Sequence, residues 1–297
     1  MPTLDVNNLH KRFGEVQALT GMSLSVRPGE VYGFVGSNGA GKSTTMRIAL
    51  GVLSADEGEV LFDGTPLNND TRRRIGYMPE ERGLYSKDAI LEQLVFFARL
   101  HGLQRKEATA NATALLEELG LAERADDPLE SLSLGNQQRV QLAASLVHDP
   151  DILILDEPFS GLDPVAVDTM SSMLVARARS RNIPVLFSSH QLDLVQRLCD
   201  RVGIVSAGAM VAEGTVAELR SRGPLRFEVR TRARGWYPDG VNVVSEEEDS
   251  VVLEPQDNAE PDVDQRILQA ALAAGPVRSF SPVAPDLTDL FKEAVQP

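Results

Sequence analysis

The run Gly36-Ser37-Asn38-Gly39-Ala40-Gly41-Lys42-Ser43 constrains this chain more than any other segment. It follows a short apolar stretch, residues 31–35, that reads as a buried strand, and it opens a helical pattern over residues 42–53. Glycines at this spacing let successive backbone N–H groups curl around an anion without Cβ clashes. The helix that follows points its positive N-terminal end at the same place. Lys42 is then set to reach the outer phosphates of a nucleoside triphosphate, and the Ser43 hydroxyl to ligate Mg²⁺. A Gly-Lys-Ser turn also arises by chance; the strand before it and the helix after it are the context the phosphate-loop pattern requires.

A second segment completes the chemistry. Ile152, Leu153, Ile154 and Leu155 form a continuous apolar run, as in a strand buried on both faces, and Asp156-Glu157 follows at once. Such a strand delivers Asp156 to its polar tip, where it can hold Mg²⁺ through a water. Glu157 is placed to orient or deprotonate an attacking water. Strands often end in acids, but an Asp-Glu pair downstream of a phosphate loop reads as the second half of one site.

Around these segments, β-rich and helical stretches alternate as in an α/β fold. Strands are expected at 58–64 and 184–188, helices at 90–101, 107–119, 165–181, 192–198 and 215–222, and a hairpin over Ala207-Gly208. Composition shifts at Gly223-Pro224. The region beyond carries fourteen acids against seven bases, with strands expected at 225–231, 241–245 and 251–253 and helices at 263–274 and 287–295. We therefore expect two domains, 1–222 and 223–297, the second a small α+β unit whose acidic run at 246–249 is a solvated turn. The net charge of −14 argues against a nucleic-acid partner. The single cysteine, Cys199, permits no intramolecular disulfide, and no stretch approaches the ~20 apolar residues of a membrane-spanning helix. The N-terminus shows no basic-then-apolar leader.

Leu132-Ser133-Leu134-Gly135-Asn136-Gln137-Gln138-Arg139-Val140 resembles the signature of the ABC ATPase family, Leu-Ser-Gly-Gly-Gln followed by Gln-Arg-Val. Ser160-Gly161-Leu162-Asp163 resembles its D-loop, His190 its switch histidine, Phe13 the aromatic on which adenine stacks, and Tyr77-Met78-Pro79-Glu80 stands in the place of its Q-loop. Order and spacing match over residues 4–222. The resemblance implies an α/β P-loop NTPase of ABC type: a mixed sheet core, an N-terminal antiparallel β subdomain and a helical signature subdomain, here with the C-terminal α+β domain.

The same resemblance implies ATP held by Phe13, by Gly36, Ser37, Asn38, Gly39, Ala40, Gly41, Lys42, Ser43 and Thr44, and in trans by Ser133 and Gly135 of an opposing subunit. It implies Mg²⁺ attended by Ser43, Asp156 and Glu80, and hydrolysis carried by Glu157, His190 and Lys42. The expected partners are a separate membrane permease and a second ATPase subunit, identical or homologous, at the cytoplasmic face of the membrane. Residues 80–103, with Leu84, Tyr85, Phe96 and Phe97, are expected to meet the permease, with core packing as the other reading. Phe13 as a sheet-core residue and His190 as a structural histidine are likewise the plainer alternatives, and His10, His101 and His148 read as surface or capping residues.

The chain departs from the family in two motifs, at three positions. Leu134 and Asn136 stand where the signature has Gly and Gln, and Glu80 replaces the Q-loop glutamine, adding charge near the phosphates. The stretch Pro-Glu-Glu-Arg-Gly-Leu-Tyr and this form of signature resemble a bacterial exporter-type subfamily that includes sodium-efflux ATPase subunits. A soluble ABC-type ATPase with a non-transport role is the alternative. The ribosome-acting kind carries two cassettes per chain, and the DNA-repair kind needs a coiled coil for which residues 36–156 leave no room. A small-molecule kinase would not need a signature.

Overall fold

The computed structural model describes residues 3–81, 83–221, 224–256, 262–283 and 287–288. Two units divide it, residues 1–215 and 216–297. In chain order the first runs β1 (Leu4–Phe13), β2 (Val16–Val26), β3 (Val31–Gly36), α1 (Lys42–Ala49), β4 (Glu57–Phe62), β5 (Thr65–Pro66), α2 (Asn69–Arg72), β6 (Ile75–Met78), α3 (Ile90–Leu100) and α4 (Arg105–Glu118). It continues through α5 (Leu134–Leu146), β7 (Ile152–Leu155), α6 (Pro164–Arg181), β8 (Val185–Ser189), α7 (Leu192–Leu198), β9 (Arg201–Ser206) and β10 (Ala209–Thr215).

A six-stranded sheet in the order β10-β9-β3-β8-β7-β6 forms the centre. Strands β9, β3, β8, β7 and β6 run parallel, and β10 closes one edge antiparallel to β9. Every residue of β3, β7 and β8 is buried, which is why none of them alternates; β7 reads as an unbroken apolar run, and β8 is apolar up to Ser188 and Ser189. A second, antiparallel sheet in the order β2-β1-β4-β5 carries the N-terminus. Leu4, Val6 and Leu9 of β1 and Met22, Leu24 and Val26 of β2 join Phe34, Met46 and Ile154 in one core. Helices α3, α4 and α5 pack on one another, and α5 also packs against β6 of the central sheet.

The expected helix over 42–53 ends at Ala49. Gly51 stops it, at φ +68 and donating to the Ile48 carbonyl, and a Cβ there would lie 2.4 Å from the Arg72 side chain. The hairpin over Ala207-Gly208 forms as expected, with φ +47 and +80, the signs of a type I′ turn. Strands β1, β2, β5 and β6 and helix α2 have no individual counterpart among the elements expected from the sequence.

The second unit begins at Val216, upstream of the expected boundary at Gly223. It contains α8 (Val216–Ser221), β11 (Arg226–Arg230), β12 (Val241–Glu246), β13 (Val251–Pro255), α9 (Val263–Ala274) and β14 (Ser279–Val283). The strands form an antiparallel sheet in the order β12-β13-β11-β14. Val263, Ile267 and Ala271, one helical face, pack with Phe227, Val229, Val251 and Leu253 into its own core. The acidic run at 246–249 caps the β12–β13 hairpin, and Glu246 and Asp249 pair with Arg234 and Arg232. Of the helix expected at 287–295, residues 289–295 lie outside the described residues.

Candidate active site

Parallel strands present their C-terminal ends at one edge, and the loops that leave those ends meet there. β3 leads into the phosphate loop, β7 into Asp156-Glu157, β8 into His190 and β6 into Glu80. The result is a cleft of about 530 Å³ lined by Asn38, Gly39, Gly41, Lys42, Ser43, Thr44, Glu80, Asp156, Glu157 and His190, with Ala18 from β2.

The phosphate loop needs its glycines for specific reasons. Gly41 sits at φ +103, and a Cβ there would lie 2.7 Å from Leu19 Cδ2 and 3.0 Å from the Ala18 carbonyl oxygen. No side chain caps the α1 N-terminus, so its backbone donors face the cleft. Gly208 of the β9–β10 turn donates to the Ala40 carbonyl at 3.1 Å and accepts from Thr20 N–H at 2.9 Å, which fixes the loop from behind. Lys42 is buried and donates to the carbonyls of Gly36 (2.6 Å) and Ser37 (3.2 Å). Burial pulls its pKa below the ordinary lysine value, opposed by the charges of Glu157, Asp156 and Glu80.

Asp156 and Glu157 are held by β8. The Ser188 hydroxyl donates to Asp156 Oδ1 at 2.6 Å and accepts from Glu157 N–H at 2.9 Å. Glu157 adopts φ +49, a left-handed conformation that costs a non-glycine residue about 1 kcal/mol. Its Oε2 lies 2.9 Å from His190 Nδ1. Helix α5 braces both flanks. Gln138 Nε2 donates to the Pro158 carbonyl at 3.0 Å, and Gln141 Nε2 to the carbonyls of Pro79 (2.7 Å) and Glu81 (3.2 Å), on either side of Glu80. Sequence reading missed Ser188, Gln138 and Gln141. The only signal was polar residues in otherwise buried positions of a strand and a helix.

Three expected ligands stand apart from the cleft. Phe13, 47% exposed, lies at the end of β1 with Lys11 Nζ 5.6 Å from its ring centre. Ser133 is the exposed N-cap of α5, its hydroxyl accepting from Asn136 N–H at 3.4 Å, and Gly135 lies in the first turn of that helix. Asp163 caps α6 through a 2.9 Å bond from Ala166 N–H. His148 is a correction: it is not a surface residue but is buried, stacked on His101 with ring centres 3.6 Å apart. His101 Nδ1 and His148 Nε2 bond the carbonyls of Arg73 and Ile75. Leu84 and Phe97 line a groove of about 380 Å³ beside this pair, while Tyr85 and Phe96 are exposed next to it.

A parallel sheet whose C-terminal edge joins a phosphate loop to an Asp-Glu pair defines a P-loop NTPase. Residues 19–160 match the ABC transporter family. The chain is 36% identical over 296 residues to the "Uncharacterized ABC transporter ATP-binding protein YhaQ" of Bacillus subtilis (strain 168), covering 98% of each chain. It is 36% identical over 222 residues to the linearmycin resistance ATP-binding protein LnrL of the same organism, covering 74% of this chain and 71% of that one. A solved ATP-binding subunit of an ABC transporter superposes with a TM-score of 0.68 at 30% identity, covering 74% of this chain and 92% of that one. The chain belongs to the ABC transporter ATP-binding proteins and is an ATPase of that family.

Proposed function

We propose that this subunit drives export by a separate permease, through ATP-dependent closure of two ATPase subunits at the cytoplasmic face of the membrane. One observation carries the reading: Lys42, Ser43, Asp156, Glu157 and His190 line a single cleft at the sheet edge. Likeness to a Nod factor export ATP-binding protein of Burkholderia orbicola (strain AU 1054), 37% identical over 214 residues, supports export over import. Every motif that the nucleotide needs lies within residues 1–215, so the second unit is accessory to hydrolysis.

In this reading Lys42 exchanges the carbonyls of Gly36 and Ser37 for the β- and γ-phosphates, and the amides of residues 37–44 surround them. Phe13 stacks on adenine. The Ser43 hydroxyl, the Asp156 carboxylate and Glu80 offer hard oxygen donors in one cleft, a set that suits Mg²⁺, which takes few protein ligands beside phosphate. Bound there, Mg²⁺ would neutralise charge on the phosphate oxygens. Glu157 orients and deprotonates the attacking water, and His190 holds its carboxylate and senses the γ-phosphate. Ser133 and Gly135 cover the outer face of the γ-phosphate on the opposing subunit. The groove lined by Leu84 and Phe97 receives the permease.

Glu157→Gln tests the assignment. The variant keeps its shape and its affinity for ATP, and its steady-state turnover falls ~10²–10⁴-fold. Near-normal turnover would remove Glu157 from the mechanism.

A further inference from the structure

Strand β8 and its exit grip the Asp156-Glu157 segment at three successive levels. Phe187 packs edge-on against Phe159 with ring centres 5.7 Å apart, Ser188 bonds both Asp156 and Glu157, and His190 bonds the Glu157 carboxylate. Ser188 is the only one of the three that touches both acids. Its side chain is fully buried, as Asp156 and Glu157 nearly are, so neither bond has a solvent substitute.

The two bonds act on different quantities. The bond from Glu157 N–H fixes a main-chain group of a residue held at φ +49, a conformation that would relax to the ordinary right-handed or extended basin if released. That relaxation would swing the Cα–Cβ vector, and with it the carboxylate. The bond to Asp156 Oδ1 fixes the rotation of the Asp156 carboxylate and thereby sets the direction of its second oxygen. One hydroxyl thus sets the angle between two neighbouring carboxylates, one assigned to the metal and one to water.

We propose that Ser188 is a positioning residue for ATP hydrolysis, a two-way clamp that holds Asp156 and Glu157 in their working orientations without touching nucleotide. The proposal rests on the assignment of Glu157 to water activation. Misplacing a reacting group by about 1 Å can cost 10²-fold, whereas nucleotide affinity comes chiefly from the phosphate-loop amides and Lys42, which Ser188 does not contact.

The test uses the full-length chain with steady-state ATPase kinetics, nucleotide binding and thermal melting measured together. Ser188→Ala should lower kcat roughly 10- to 100-fold while KM for ATP and nucleotide affinity change less than about twofold. Ser188→Thr, which keeps the hydroxyl, should recover most of the loss. If Ser188→Ala does not fold, Ser188→Cys fills the same space with a much weaker hydrogen-bonding group and carries the same expectation. In a Glu157→Gln background, Ser188→Ala should lower turnover by a smaller factor than in the wild-type chain, the remaining loss being the part that acts through Asp156, and a full, undiminished loss there would show that the clamp does not act on Glu157. Equal losses of kcat and affinity would reduce Ser188 to a structural role and overturn the proposal, as would unchanged kcat. If Glu157→Gln itself retains turnover, the assignment of Glu157 has failed; if only Ser188→Ala retains it, the clamp alone has failed.

Discussion

His190 Nδ1 sits 2.9 Å from Glu157 Oε2, and the two side chains differ sharply in exposure, 56% for the histidine against 8% for the glutamate. A solvent-facing ring at the exit of β8 leans on a buried carboxylate at the exit of β7. Both side chains line the cleft, so movement of His190 and orientation of Glu157 are linked by one hydrogen bond.

His190→Ala should leave ATP binding in place and lower kcat on the order of 10²-fold, because the carboxylate loses the donor that fixes Oε2. Binding of a fluorescent nucleotide analogue and phosphate release measured on one preparation check this. A kcat equal to wild type would make the contact incidental.

ATP binding in alkaline solution should be accompanied by proton uptake at Lys42. Burial holds its pKa below the ordinary value in the nucleotide-free protein, and a bound triphosphate raises it. Between those two values the free protein has shed the proton that the complex retains, so binding takes one up. Calorimetry in alkaline buffers of differing ionisation enthalpy measures the uptake, and Lys42→Ala should lose both the uptake and most of the affinity.

Stability should fall with acid in a window set by His148. Burial, then the charge of His101, lower its pKa to about 4 from an ordinary 6.5. Below about 6.5 the unfolded chain takes up a proton that the folded chain refuses until about 4, so stability drops across that interval by at most about 3 kcal/mol. His148→Phe should flatten this part of the melting temperature against pH. An identical acid slope in the variant would show that another group carries it.

Ser133→Arg should leave ATP binding by single chains intact while preventing closure of a pair, because a bulky side chain at the α5 N-terminus would fill the seat of the opposing γ-phosphate. Light scattering on the Glu157→Gln background, with ATP and then with ADP, reads the outcome. Dimerisation of the double variant equal to that of Glu157→Gln alone would sink action in trans.

Local chemistry made the phosphate loop and β7 legible in the sequence. Gly39 and Gly41 carry positive φ within a few residues of Lys42, and Ile152–Leu155 is buried on both faces, so each announces itself without reference to distant chain. The N-terminal sheet is harder to read because β1 pairs with β2 through several register shifts, one near Asn8 at φ +49, and these break the alternation of a strand. Ser188 and His148 were opaque for another reason. What defines them lies far along the chain, at Asp156 and Glu157 for one and at His101 and Ile75 for the other. A polar residue in an apolar run gives no hint of which distant atom it satisfies.

Position 157 sets durability against chemistry. Five other non-glycine residues carry positive φ among those described: Asn8, Asp63, Asp149, Asn182 and Ala207. Four are Asn or Asp, which tolerate that basin, and Ala207 belongs to a two-residue hairpin turn that demands it. Glu157 has neither excuse. A sequence optimised only for its backbone would place glycine or asparagine there, and Glu157→Asn would produce a more heat-resistant protein that no longer turns over. Laboratory selection of this chain for thermal endurance alone would therefore drift toward inert subunits, with position 157 among the first to change.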